Sequence, residues 1–278
     1  LVFTNMPHQA SLQSTFTRQF PRFDWRAGVI FSLVLVAAMT MMNMPRFAQS
    51  QAFHQFADAR AWLGVPNFLD VITNAPFALA AAIGLVNLRH RVHRERAAVV
   101  GATTPLMPID RVCLTAVFVG MGLTAAGSTY YHLAPANDSL FWDRLPMLLT
   151  FVSLLATLVA ERVSPKTAAW MLAPLLLLGT TSLIYWQLTE RAGSGDLRPY
   201  FMIQGSTLAS VLLIVLLYPS RYLRTRWLML GLGFYAGAIA FEQLDRAVWS
   251  IWSSFGMQLV SGHTIKHLCA GAGALAVS

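Results

Sequence analysis

Long apolar tracts alternate with short polar ones along almost the whole chain. The tracts fall near residues 27–44, 68–88, 112–131, 140–161, 167–188, 199–218, 226–245 and 260–277. Each approaches the roughly 20 residues that a helix needs to cross a hydrocarbon layer. Helix-breaking residues mark the joints. Pro66 and Asn67 precede the second tract, Pro105 and Pro108 the third, and Pro135 separates the third from the fourth. Pro165 precedes the fifth and Pro199 opens the sixth. No fixed-period repeat and no long linker interrupts the series. Within a bilayer every backbone polar group has to be satisfied internally. The pattern therefore predicts an all-α fold, a polytopic transmembrane helical bundle.

The first tract admits two readings. Residues 28–42 suit a retained helix, and also the core of a signal peptide with Ala48 and Ser50 before the cleavage point. A polar lead of roughly 26 residues is long for a signal peptide, which favours the retained helix.

Composition agrees with a membrane protein. The 278 residues are 56% hydrophobic and 12% charged, about half the charged share of a soluble domain. A formal charge of +8 would suit nucleic acid, but the basic residues sit in short loops, where they read as topology signals. No nucleic-acid partner is expected. Thirteen of them, Arg22, Arg91, Arg162 and Arg224 among them, fall in the N-terminal segment and the loops after tracts two, four and six. Seven, including Arg46, Arg60 and Lys266, fall on the other side. The positive-inside rule then makes the first side cytoplasmic. Cys113 and Cys269 show neither metal-ligand spacing nor a disulfide framework, and read as small packed hydrophobes.

Against this background a few polar residues stand out at the tract ends. His132 closes the third tract, Asp143 begins the fourth, and His263 and His267 open the last. The odd-numbered loops carry all of them to one face, the external one. His263 and His267 are four apart, so a helix starting by Ser261 presents both on one side. With His132 they make three nitrogen donors, the set of a catalytic zinc site with a fourth position open. Ser128, four before His132, points the same way. Asp143 follows a short turn containing Pro135 and Asn137, within reach of a catalytic water. Each residue alone has a plainer explanation: an interfacial histidine, a packing serine, a helix-start aspartate that pairs with Arg144. Those explanations weaken when one topology gathers all five.

The order Ser-x-x-x-His, then Asp, then His-x-x-x-His, carried by Ser128, His132, Asp143, His263 and His267, resembles the alkaline ceramidase family. That family belongs to a wider superfamily of seven-helix membrane hydrolases that includes adiponectin-receptor-like and Per1-like proteins. Residues 67–76, from Asn67 through Asp70 and Asn74 to Pro76, also look like the opening of the first core helix of ceramidases. The resemblance covers roughly 55–278. It implies a seven-helix hydrolase core there, and an N-terminal segment, 1–54, bearing one additional helix or a signal sequence. It further implies a zinc-dependent amidase of ceramide-like lipids, releasing a fatty acid and a sphingoid base. His132, His263 and His267 would be the metal ligands, and Asp143 and Ser128 the catalytic pair. The expected setting is a bacterial inner membrane, with the site toward the periplasm.

The chain departs from the family at one point. Animal alkaline ceramidases carry an acidic calcium site around the first core helix, whereas this stretch offers Asp58, Asn67 and Asp70 with Arg60 among them. That is thin for a cation wanting six or more oxygens, so Ca2+ is doubtful. Asp70 and Asn74 are read either as braces for the zinc site or as polar packing between helices. Glu242 and Asp245 are read either as acceptors that orient a bound imidazole or as partners of Arg246 and water. Asp196, before Pro199, reads as a helix cap, and Trp142, Trp249 and Trp252 as an interfacial belt. Two other functions stay open: a receptor-like or structural zinc bundle, and a haem-binding electron-transfer protein, which leaves Asp143 and Ser128 without roles. Substrate acyl length and oligomeric state are not legible.

Overall fold

The computed structural model describes residues 24–97 and 105–278. Arg18 and Arg22, counted in the topology argument, lie outside the described residues. Among those described there is no strand, only an isolated bridge between Trp62 and Val65. The helices are α1 (Trp25–Asn43), α2 (Phe68–Ile72), α3 (Ala75–Ala97), α4 (Pro108–Leu133), α5 (Asn137–Leu158), α6 (Pro165–Arg191), α7 (Arg198–Leu217), α8 (Thr225–Gln243), α9 (Asp245–Ser254) and α10 (Gly262–Val277). α5 ends in a π-helical turn, Val159–Val163. Among the described residues six spans are long and apolar enough to cross a membrane, and a seventh if α8 and α9 count as one bent span. The chain is thus an all-α, multi-pass membrane bundle.

Local chemistry sets the helix starts. The Ser139 hydroxyl accepts from Ala136 N at 3.0 Å, so α5 begins at Asn137. Asp143 therefore stands in the second turn of α5. That corrects the expectation of a loop reaching almost to it, because Ala134, Pro135 and Ala136 alone make the corner. Ser164 caps α6 through Thr167 N, with Pro165 in the first turn. The N-cap of α7 is Leu197, without a side-chain cap, so Asp196 is not the cap the sequence suggested; one residue earlier, it accepts from Arg198 N at 3.1 Å. The Arg198 guanidinium, donating to the same carboxylate, holds the Asp196 carboxyl down to about 2. Ser261 caps α10 through Thr264 N.

Two spans are broken. The second was expected as one helix over 68–88; instead α2 stops at Ile72 and α3 starts at Ala75. Pro76 has no N–H to continue the ladder, and the Thr73 hydroxyl turns back onto the Leu69 carbonyl at 2.6 Å. The seventh, expected to run to Asp245, bends by 68° after Gln243 into α9, which occupies sequence read as a loop.

The loops after α1, α4, α6 and α9 meet at one end of the bundle. Leu197 N donates to the Phe47 carbonyl, His54 bonds Asn137, Arg191 bonds Asp138, and Arg60 bonds the Gln258 carbonyl. The opposite end is tied by Glu161, which accepts from the backbone of Tyr222 and Leu223 while pairing with Arg162. The alternation expected from the tract pattern is thus present in the fold. Residues 45–67 fold back across the first end, with Phe47, Phe53 and Phe56 packed against Tyr131, Trp186 and Tyr200.

α4 and α5 lie in close contact beside Pro146, which sits inside the continuous helix α5. Pro146 cannot donate to the Trp142 carbonyl four residues back, and that freed oxygen turns onto Gly127 of α4. Only glycine admits this approach, and it brings Asp143 alongside Ser128. Gly127→Ala should therefore cost about 1–3 kcal/mol, the range for overpacking a tight contact, in detergent thermal unfolding. Gly205→Ala, where a Cβ meets nothing, should be neutral or stabilise by up to about 1 kcal/mol. Equal effects would refute the close-approach account.

Candidate metal centre

His132 lies in the last turn of α4, and His263 and His267 in the first turns of α10. All three are buried. One ring nitrogen from each falls within 4.8 Å of the others, so together they can hold a metal ion. The ring centroids are 4.8–4.9 Å apart. His132 Nε2 and His263 Nε2 stand 3.4 Å apart. Nitrogens about 2.0–2.1 Å from one tetrahedral ion are separated by about 3.4 Å.

The far side of each ring explains how it is aimed. His267 Nδ1 faces the Asp70 carbonyl at 3.0 Å, with the Thr73 hydroxyl at 3.2 Å. The break between α2 and α3 makes that carbonyl available. In an unbroken helix it would accept from Asn74 N, which instead bonds Val71, while the Asn74 amide group covers its other side at 2.9 Å. His263 Nδ1 lies 3.0 Å from Glu242 Oε2. A histidine that presents one nitrogen to a ligand commonly rests the other on a carbonyl or carboxylate. His132 Nδ1 is buried without a partner; its backbone is fixed instead, by Asn67 Nδ2 donating to its carbonyl at 2.8 Å.

The surrounding acids divide into separate jobs. Asp70 Oδ1 accepts from Thr264 at 2.7 Å, bracing α2 on α10. Asp245 accepts from His263 N at 2.8 Å and from Ala57 N at 2.9 Å, pinning the start of α10 and the 45–67 segment. Gly262 allows α10 this near, since a Cβ there would lie 2.6 Å from Asp245 Cα. Asp58 is occupied by Arg60 through both oxygens. Asp58, Asn67 and Asp70 thus face three different partners, Arg60, the His132 carbonyl and Thr264. Asp143 sits beside Ser128 and within electrostatic reach of Lys266, Arg144 and His263. All five expected site residues are therefore together at one end of the bundle.

Two further residues belong to the site. Lys266, counted from sequence as a loop charge, projects from α10 among the acids; Nζ lies 2.9 Å from Glu242 Oε2 and 3.4 Å from His263 Nε2. Its signal was its place inside the His-x-x-x-His stretch of an apolar helix, where a cation needs a partner. Phe56 covers the cluster from the loop side, its ring 4.7 Å from those of both His132 and His263. Nothing in the irregular 45–67 stretch announced that contact.

No protein-family model and no curated protein sequence matches this chain. The donor set is tested first by metal content. Protein purified without chelator should carry about one metal ion per chain, and His263→Ala or His267→Ala should remove most of it. Inductively coupled plasma mass spectrometry reads this directly; full metal retention in both variants would refute the site.

Proposed function

We propose that this chain is an integral-membrane, zinc-dependent amidase that cleaves ceramide-like lipids into a fatty acid and a sphingoid base. The observation that carries the reading is the cluster of His132, His263 and His267, able to hold one ion, in a bundle that also contains an apolar chamber. The chamber has a volume of about 120 Å³ and is lined by Met121 and Thr124 of α4, Met147 of α5, Tyr235 of α8, and Ala270 and Ala274 of α10. Four of its lining helices carry a site residue further along the same face: Ser128 one turn from Thr124, Asp143 one turn from Met147, Glu242 two turns from Tyr235, His267 one turn from Ala270. An apolar pocket with a few convergent polar groups at one end suits a lipid chain whose reactive head lies among them. The likeness of Ser128, His132, Asp143, His263 and His267 to the alkaline ceramidase pattern supplies the substrate class.

The three imidazoles of His132, His263 and His267 would hold the ion, and three nitrogen donors suit catalytic zinc. A zinc ion held there would supply Lewis acidity for the amide carbonyl and would lower the pKa of a bound water toward about 7. Asp143 takes a proton from the attacking water and passes it to the leaving amine nitrogen. The water oxygen ends on the acyl carbon as the C–N bond breaks. Ser128, beside Asp143, orients that carboxylate and donates to the oxygen that gains charge. Glu242 holds His263 and neutralises Lys266. Phe56 excludes bulk water from the loop side. A second reading, a zinc site kept for stability, draws on the same Phe56 cover over two of the three rings.

Turnover separates the two. Purified protein should release fatty acid and sphingoid base in equal amounts from an N-acyl sphingoid lipid, and a chelator should stop it. Asp143→Asn should keep its metal and lose hydrolysis by about 10²-fold or more. Ser128→Ala should keep its metal and lose roughly 10²–10³-fold. Parental rates in Asp143→Asn would exclude the proton transfer. Bound zinc with no turnover of the lipid would leave the structural reading.

A further inference from the structure

Outside the histidine cluster, α1 packs on α7 and is tethered to the bundle at both ends. At one end the Tyr218 hydroxyl donates to Asp24 at 2.6 Å. At the other, Arg198 donates to the carbonyls of Met42 and Met44 at 3.0 and 2.8 Å. No residue of α1 is buried. Between these tethers α1, α5, α6 and α7 wall a crevice of about 450 Å³. The walls run from Ala27 to Ala38 on α1 and from Thr167 to Leu178 on α6. Both stretches rise by about 16 Å, half the thickness of a ~30 Å hydrocarbon layer. The crevice thus has the length of one leaflet.

Its two ends differ in charge. Arg26 and Lys166 flank the Ala27–Thr167 end, and the Arg26 guanidinium lies 5.3 Å from the centre of the lining Tyr218 ring. Lys166 is exposed, and neither cation forms an ion pair among the described residues. The one carboxylate beside Arg26, Asp24, is engaged by Tyr218 and by Arg26 N at 3.0 Å. The other end, around Ala38, Leu178 and Met202, is apolar. An acyl chain in a crevice of this size gains dispersion contacts with its walls, whereas its largely apolar lining offers water few partners.

We propose that the crevice binds one anionic phospholipid, from the leaflet on the side of the α1 N-terminus. An acyl chain fills the gap between α1 and the bundle, and the phosphate rests between Arg26 and Lys166. The bound chain completes the packing that α1 lacks. The site involves no residue of the histidine cluster and stands whether or not the chain is an amidase.

Native mass spectrometry of the full chain, released from mild detergent after extraction from a mixed zwitterionic and anionic membrane, tests this. One retained phospholipid per chain is expected, with anionic species strongly enriched. Arg26→Ala with Lys166→Ala should reduce that head-group preference by about 25-fold, from about 5-fold for each basic side chain near an anionic head group. Ser206→Phe, which fills the crevice, should abolish retention of any phospholipid while circular dichroism shows unchanged helix. Retention of no lipid, retention unchanged by both sets of variants, or a lipid-free dimer would each overturn the proposal.

Discussion

The bundle is organised around the need to bury three imidazoles at the end of an apolar core. A buried polar group without a partner is costly, so partners have to come from neighbouring helices. Asp70 offers its carbonyl to His267 and its carboxylate to Thr264, both on α10. Asn67 holds the His132 backbone, and Asp245 holds that of His263. Two distortions of the fold serve this arrangement. The break after Ile72 frees the Asp70 carbonyl, and the bend after Gln243 brings Asp245 to the start of α10. An uninterrupted second span would lose the first contact, and a straight continuation of α8 would lose the second.

Charge is handled with the same economy. Asp70, Asp143 and Glu242 surround Lys266, and a divalent cation on the histidines would nearly balance these groups. Glu242 serves twice, standing at 3.0 Å from His263 Nδ1 and 2.9 Å from Lys266 Nζ. Lys266 thereby occupies a site that would otherwise carry excess negative charge. Asp143 is left beside Ser128, where the Trp142–Gly127 approach puts it.

The all-α, multi-pass character was legible in the sequence, because hydrophobic length is a coarse signal that survives local irregularity. So was the convergence of His132 with His263 and His267, which needed only the parity of the loops and a four-residue spacing. The helix breaks were not. Pro76 was visible, but the Thr73 turn onto Leu69 depends on a side-chain rotamer. α9 was read as loop because its tryptophans suited an interfacial belt equally well. Lys266 was counted as a topology charge because its partner Glu242 lies 24 residues away in sequence, on another helix. Phe56 covers the histidines through a long-range fold of an aperiodic segment, which no local pattern encodes.

The central claim is that α4 and α10 together present three imidazoles to one ion. X-ray absorption at the zinc edge on reconstituted protein tests it most directly. The account predicts three imidazole nitrogens and one further light-atom donor at about 2.0–2.1 Å, with one imidazole lost in His132→Ala. A spectrum fitted by two imidazoles or fewer, or one unchanged by His132→Ala, would contradict it.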